Sequence, residues 1–236
     1  MKYPGIIAVI LLCCGALSAR EKVRTVLFPR REAVLASRVE SRLLPCTLRV
    51  GESFPAGAEL LKLDDRRYVL EYKRTSAQYD FHEAAFETKR KLREKSLTSD
   101  FELKKAEFDK HMSRAAMDRA GLDLAACTVK APFPGKLAEL ITREYETVRP
   151  GQELCRIIDD RTLMAVMNVP AGDEKLTAAG NTVKIRMDDG KVISGRIYEV
   201  SPQADHRTGT RRIRVEIDNS RGVLTAGTTG ELLYDR

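Results

Sequence analysis

The sequence predicts an elongated chain of mixed α and β structure. A small β body is split into two halves by an α-helical coiled-coil hairpin, and a small antiparallel β-barrel follows. Three observations predict this. One strand-like segment occurs twice, a charged stretch with heptad spacing lies between the copies, and short alternating strands follow the second copy.

The repeat aligns Ser37–Asp65 with Ala131–Asp159 without a gap. Leu43 falls on Leu137, Arg49 on Arg143, Glu52 on Glu146 and Gly57 on Gly151. Glu59-Leu60 falls on Glu153-Leu154, and Asp65 on Asp159. Conservative pairs agree: Arg42 with Lys136, Lys62 with Arg156, Leu63 with Ile157. Each copy is too short to bury a core alone, so the two must close on each other. What lies between them is then held out as an arm.

The chain opens as an export signal. Lys2 gives a positive start, Ile6–Leu12 an apolar core, and Ala16-Leu17-Ser18 the small residues that a signal peptidase reads. The apolar run is short for a membrane span; an uncleaved inner-membrane anchor is the alternative. Cys13 and Cys14 invite a lipoprotein reading, but the residues before them, Leu12 and Cys13, are not the small residue a lipobox needs.

After the signal, Val23–Phe28, Val34–Val39, Leu43–Val50 and Glu59–Leu63 have strand character, punctuated by Pro45, Gly51, Pro55 and Gly57. The arm starts at Asp64-Asp65, whose carboxylates suit a helix N-terminus. Tyr72, Tyr79 and Phe86 recur every seven residues, with Val69 and Ser76 at the other seam position. Leu97-Thr98-Ser99-Asp100 breaks the pattern. Ser99 and Glu102 form a capping box, in which the hydroxyl takes an amide of the next helix and the carboxylate reaches back. The second helix carries Phe101, Phe108, Ala115 and Leu122 at heptad spacing, with Met112 between. Both stripes are read as the seam that glues the helices together. Helices of about 25–30 residues make an arm of about 40 Å.

The second copy is marked by Pro132, Pro134, Gly135, Pro150 and Gly151. Antiparallel β structure follows Asp159-Asp160. Leu163–Val169 is a strand; Val183, Ile185 and Met187 alternate with Lys184, Arg186 and Asp188; Asp189-Gly190 signals a hairpin; Val192–Val200 returns. Ile213, Val215 and Ile217 alternate with Arg212, Arg214 and Glu216, and Gly230–Tyr234 closes the chain. Several short strands separated by turns suit a small barrel.

Composition narrows function. The 236 residues allow one to three small domains, and 43% hydrophobic content supports packed cores. The net charge of +7 is spread over Arg-rich strands and helices with no basic cluster interleaved with aromatics, so a nucleic-acid partner is not indicated. Cys46, Cys127 and Cys155 lack a Cys-x-x-Cys pair. They read as small buried apolar residues, with one disulfide as the alternative. No nucleophile elbow, dinucleotide or P-loop motif occurs, so no catalytic, cofactor or metal residue is assigned and the chain reads as a non-enzyme. His82 and His111 stand at one level of the hairpin and read as two solvated polar residues, the alternative being a metal or pH-sensing pair. Asp64-Asp65 and Asp159-Asp160 read as caps at the ends of the repeats rather than catalytic carboxylates.

These residues resemble a known family. Ser37–Leu43 with Gly51–Asp65, then Thr128-Val129-Lys130-Ala131-Pro132-Phe133-Pro134-Gly135 with Pro150–Asp160, look like the two halves of a lipoyl-like (barrel-sandwich hybrid) domain. Val200-Ser201-Pro202-Gln203-Ala204-Asp205, Arg207-Thr208 and Asp218-Asn219 are similar to a barrel signature. In this order and spacing they resemble the periplasmic adaptor, or membrane fusion, proteins of bacterial tripartite efflux and secretion systems (HlyD-like, RND-type). The resemblance implies a signal peptide over 1–19, an N-terminal strand and first lipoyl half over 20–65, the hairpin over 66–125, the second lipoyl half over 126–160 and the barrel over 161–236.

The resemblance further implies a periplasmic, inner-membrane-associated adaptor in a Gram-negative-type bacterium. It would form a homo-oligomeric ring of six, link an inner-membrane transporter of RND or ABC type to an outer-membrane channel, and serve efflux or secretion of small molecules. Many members dock the channel through an Arg, a Leu and a Ser at the hairpin tip. Leu92 and Ser99 fall at the last two positions; the Arg position falls on Thr88, with Arg90 and Arg93 nearby. The tip residues expected to touch the channel are Leu92, Arg93, Ser96, Leu97, Ser99 and Glu102. Thr208-Gly209-Thr210 replaces the usual Thr-Arg-Thr, and the residues after the second copy are expected to hold the barrel without the membrane-proximal domain usual in RND adaptors. The alternatives are a coiled-coil envelope scaffold without a transport role, and a lipoyl or biotinyl carrier. The carrier class needs a modifiable Lys on a tight turn, where this chain has its helices.

Overall fold

The computed structural model describes residues 23–233. The export-signal reading lies outside the described residues. The chain is mixed α and β, with two helices and a large sheet.

Two long strands organise it. β1 (Arg24–Ala36) and β8 (Glu153–Pro170) pair antiparallel from Val26↔Val166 to Ala36↔Glu153. Val23–Phe28 and Val34–Val39 were expected as separate strands; they share β1, which runs through Pro29 with a register shift between Pro29 and Arg31. Proline is tolerated at such an irregularity because its missing N–H costs no ladder bond there. Likewise β8 carries on through Asp159-Asp160 to Pro170. That pair therefore does not cap a repeat end; it sits within a strand.

The halves between these strands close on each other by reciprocal bonds. Leu43 N donates to Glu146 O at 2.9 Å, and its repeat mate Leu137 N donates to Glu52 O at 3.1 Å. Gly51 N donates to Leu137 O and Tyr145 N to Leu43 O, both at 2.8 Å. Gly57 N donates to Ala131 O and Gly151 N to Ser37 O, again both at 2.8 Å. The short ladders obey the same exchange. β2 (Ser41–Arg42) pairs with β7 (Thr147–Val148), as β3 (Ser53–Phe54) pairs with β6 (Gly135–Leu140). β4 (Glu59–Lys62) pairs with β5 (Thr128–Lys130). Both copies turn through left-handed residues at the same places: Gly51 and Tyr145, then Gly57 and Gly151. Tyr145 holds φ 64° where its mate is glycine, a conformation a side chain disfavours.

One element of the first copy is lost relative to the second. Leu43–Val50 was expected as a strand and forms none beyond a bridge from Leu43 to Leu63, while its mate is β6. Pro45 removes a ladder donor, and Cys46 N bonds the Glu144 carboxylate at 2.8 Å instead.

The core of the halves gathers Leu43, Leu63, Leu137, Val148, Leu154 and Ile157, all essentially inaccessible. A second core lies farther along β1 and β8. There β9 (Thr182–Met187), β10 (Val192–Asp205), β11 (Thr210–Asp218) and β12 (Thr229–Leu233) give the pairing order β1-β12-β9-β10-β11-β8, and β8 pairs back to β1. Inward residues alternate as the sequence predicts: Val183, Ile185, Met187, Ile213, Val215 and Ile217 are buried with Leu27 and Leu163. Full burial of such a side chain stabilises by about 1.5–3 kcal/mol. Asp189-Gly190 forms its hairpin, with Gly190 at φ 86° and Met187 N bonded to Lys191 O at 2.8 Å.

Between the halves run α1 (Arg66–Glu94) and α2 (Asp100–Ala125), side by side. Asp65 is the N-cap of α1, but its side chain makes no cap bond. Asp64 works instead: its carboxylate accepts from Arg66 N at 3.3 Å and from the Arg66 guanidinium at 2.6–3.2 Å. The Arg66 hydrogen bonds hold its pKa down to about 2. Among the described residues no helix is long and apolar enough to cross a membrane.

Candidate functional site

The two helices pack chiefly on each other, and their register is fixed by cross-helix contacts. Lys89 Nζ bridges Glu102 at 2.9 Å, Arg93 Nε bridges Asp100 at 2.6 Å, and Lys110 Nζ bridges Glu83 at 3.4 Å. A Cβ on Gly121 would lie 3.3 Å from the Tyr72 ring, so that glycine lets the helices approach near their base. Lys110 also sits 5.0 Å over the Phe86 ring.

These contacts correct the expected seam. On α1 the expected stripe does turn partly inward, with Tyr79, Phe86, Val69 and Ser76 half-buried. On α2 it does not. Phe101 is 77% exposed and Leu122 73%; Phe108, Met112 and Ala115 are exposed too. The inner face of α2 is Leu103, Ala106, Lys110, Ser113, Met117, Ala120 and Leu124, itself at alternating spacings of three and four. This face mixes apolar Leu103, Met117 and Leu124 with small Ala106, Ser113 and Ala120, which allow a close approach, and with Lys110, which Glu83 draws inward. Phe101, Phe108, Met112 and Leu122 are left on the outer edge.

α1 has an outer edge as well: Leu70, Ala77, Phe81 and Ala84 are exposed, Phe81 at 69%. Helical geometry places each stripe opposite the seam of its own helix. Tyr72 at Gly121, Glu83 at Lys110 and Lys89 at Glu102 serve as a ruler of height. By it Leu70 stands level with Leu122, Ala77 with Ala115, Phe81 with Met112, and Ala84 with Phe108.

The six expected residues lie where the helices join: Leu92 and Arg93 are in the last turn of α1, Ser96, Leu97 and Ser99 form the connection, and Glu102 is in the first turn of α2. Leu97 N bonds Leu92 O and Ser96 N bonds Arg93 O, both at 2.9 Å, which is the paired closure of a helix C-terminus through a left-handed residue. Ser96 is that residue, at φ 59°, where glycine is usual. Ser99 caps α2, its Oγ accepting from Glu102 N at 3.2 Å. The reciprocal half of the capping box is absent: the Glu102 carboxylate accepts from the Thr98 hydroxyl and from Lys89, which together hold its pKa below the usual range. Sequence reading missed Lys89, Thr98 and Asp100; the opposite charges of Lys89 with Glu102 and Arg93 with Asp100 were its available signal. Ser96, Leu97, Ser99 and Glu102 are exposed, while Leu92 and Arg93 are half-buried. Neither nearby arginine is free, since Arg90 pairs with Glu87 at 2.8 Å and Arg93 with Asp100. Thr88, at the family's Arg position, bonds Ala84 O of its own helix.

The remaining candidates do not converge. His82 lies edge-on to Phe81 and His111 is exposed on α2. Among the described residues no three His, Cys, Asp or Glu residues are placed to hold a metal ion. Cys46, Cys127 and Cys155 are free thiols, and burial pushes Cys127 and Cys155 up to about 11.

Comparison with known proteins agrees with this architecture. The family described as "CusB-like, beta-barrel domain" matches residues 162–235. The nodulation protein NolF of Rhizobium meliloti (strain 1021) is 27% identical over 229 residues, covering 89% of this chain and 62% of NolF. The nickel-cobalt-cadmium resistance protein NccB of Alcaligenes xylosoxydans xylosoxydans is 25% identical over 186 residues, covering 74% of this chain and 47% of NccB. The chain thus spans about half to three fifths of the length of these curated relatives. In fold it is similar to a MacA–MexA chimeric protein containing the Pseudomonas aeruginosa MexA alpha-hairpin domain, with a TM-score of 0.75 and 17% identity over 89% of this chain and 76% of the other. The resemblance read from the residues holds: the chain is similar to the RND-type periplasmic adaptor, or membrane fusion, proteins, and its residues 162–235 match their CusB-like β-barrel domain.

Proposed function

We propose that the chain is a non-enzymatic periplasmic adaptor that links an inner-membrane transporter to an outer-membrane channel for efflux or secretion. On this reading residues 20–65 are an N-terminal strand and the first half of a split lipoyl-like domain, residues 66–125 a coiled-coil hairpin, residues 126–160 the second lipoyl half, and residues 161–236 a β-barrel that faces the pump. The strand order that returns to β1 supports the barrel. The observation that carries the reading is the pair of apolar edges on the hairpin. Exposed Phe101, Phe108, Met112 and Leu122 on one helix, with Leu70 and Phe81 on the other, are too many for a free arm in water. Copies standing side by side, α2 of one against α1 of the next, bury both edges at equal heights. Two different edges make a head-to-tail contact, which closes as a ring when no axial step accumulates; the family resemblance implies six copies. Leu92, Arg93, Ser96, Leu97, Ser99 and Glu102 then form a crown around the ring end, where each small contact with a channel is repeated.

Two experiments test this. In a background without the native cysteines, the Ala77→Cys/Ala115→Cys chain should crosslink under oxidation into a ladder of oligomers, and a variant shifted by one turn, Ala77→Cys/Asp118→Cys, should not. Photo-crosslinkers at Ser96 and Leu97 in intact cells should then capture an outer-membrane channel. No ladder removes the ring, and a ladder with no channel leaves the scaffold reading.

A further inference from the structure

The β10–β11 end of the sheet holds a groove that the adaptor reading leaves unused. It measures about 650 Å³ and is lined by Asn168, Gln203, His206, Arg207, Thr210 and Arg212, among others. Much of it is the motif Ser201–Asp205 with Arg207, singled out in the sequence. The groove exists because β10 breaks register twice, between Ile197 and Glu199 and between Val200 and Ala204. The second break lifts Ser201–Gln203 out of the ladder. Arg211 fills the gap behind it, donating to Ser201 O at 2.9 and 2.6 Å, so the opening is propped rather than loose.

The charges around it are uneven. Two neighbouring arginines are matched, Arg214 with Glu199 at 3.1 Å and Arg30 with Glu216 at 2.9 Å. Arg207 and Arg212 have no ion pair among the described residues, and the Asn168 and Gln203 amides have no side-chain hydrogen bond there. The carboxylate in the groove, Asp205, is committed to its own turn and accepts from Arg207 N at 2.9 Å and Thr208 N at 3.4 Å. Gly209 N is bound to Asp205 O.

We propose that this groove docks an acidic segment of a partner protein, with Asp or Glu carboxylates on the Arg207 and Arg212 guanidiniums and with Asn168 and Gln203 as flanking hydrogen-bond groups. Planar guanidiniums match carboxylates by paired parallel bonds. A phosphate site would want loop amides converging on one point, and here those amides are already taken. The donors are spread along a groove, as a chain segment requires. The inference stands apart from the role of the hairpin.

The test measures fluorescence anisotropy of a labelled glutamate-rich peptide with the full chain at about physiological salt. Inorganic phosphate and phosphatidylglycerol vesicles serve as competitors. Saturable binding is expected, weakened about tenfold or more by Arg207→Ala/Arg212→Ala. Lys184→Ala/Arg186→Ala, an equal loss of charge on β9, should change it less than about twofold. Arg207→Lys/Arg212→Lys should fall between, because charge is kept and the fork is lost. Circular dichroism confirms that each variant is folded. Equal loss in the two alanine pairs, displacement by phosphate or vesicles, or no saturable binding overturns the proposal.

Discussion

Gly135→Ala probes the closure of the two halves directly. Gly135 opens β6 beside β8, and a Cβ there would lie 2.3 Å from Ile158 O and 3.0 Å from Ile158 C. Both are backbone atoms of the adjoining strand, so no side chain can swing aside. Ordinary contact begins near 3.4 Å, and the strands must part by about 1 Å. That stretches the ladder at Lys136↔Ile158 and Leu137↔Ile157. Losing about two backbone bonds costs roughly 1–3 kcal/mol, and overpacking strain adds about 1–3 kcal/mol. A total of about 2–6 kcal/mol lowers the melting temperature by about 4–24 °C in a chain of this size. Gly172→Ala is the control, since nothing lies within 4 Å of its added Cβ. Thermal melts followed by circular dichroism compare the two variants with the parent, and hydrogen exchange at β6 locates the damage. A Gly135→Ala protein melting within about 1 °C of the control would refute the close approach of these strands.

Other outcomes follow from the same geometry. Tyr145→Gly should leave stability unchanged or raise it by up to about 1 kcal/mol, because relief of the left-handed strain outweighs the entropy of glycine; Gly51→Tyr at the matching turn should lower it by about 1–2 kcal/mol, both read from denaturant midpoints. Asp159 is buried, and its hydrogen bonds to Arg161 Nε and Nη2, both at 2.9 Å, hold its carboxyl below the usual range. Its stabilisation is complete above the unfolded carboxylate value of about 3.9 and is lost as pH falls through the lower folded value, so Asp159→Asn should cost about 1–3 kcal/mol at neutral pH and flatten the acid limb of the melting profile. Alkylation of the native chain at pH 8 should label half-exposed Cys46 first, with Cys127 and Cys155 protected by burial and pKa values near 11, as read by peptide mass spectrometry. Ser96→Gly should stabilise the hairpin tip by about 1 kcal/mol, visible as slower exchange of the last turn of α1.

The repeat was legible in the sequence down to single residues, because the turn chemistry of Gly57 and Gly151 and the paired apolar positions are local signals. The helix bounds were legible for the same reason: Ser99 and the absence of breakers are properties of the chain itself. The alternation of Val183, Ile185 and Met187 fixed which side of the second sheet faces inward. What the sequence could not decide was which of two heptad stripes on α2 met α1. Periodicity names a stripe, but the partner helix chooses the face, and Gly121, Ser113, Ala120 and the pull of Glu83 on Lys110 favoured the stripe that runs from Leu103 to Leu124. Nor could it show that β1 and β8 run unbroken past Pro29 and Asp159 through both cores. Strand continuity depends on cross-strand bonds from residues far away in the chain, and the reciprocal bonding of the halves exists only once both copies are in place.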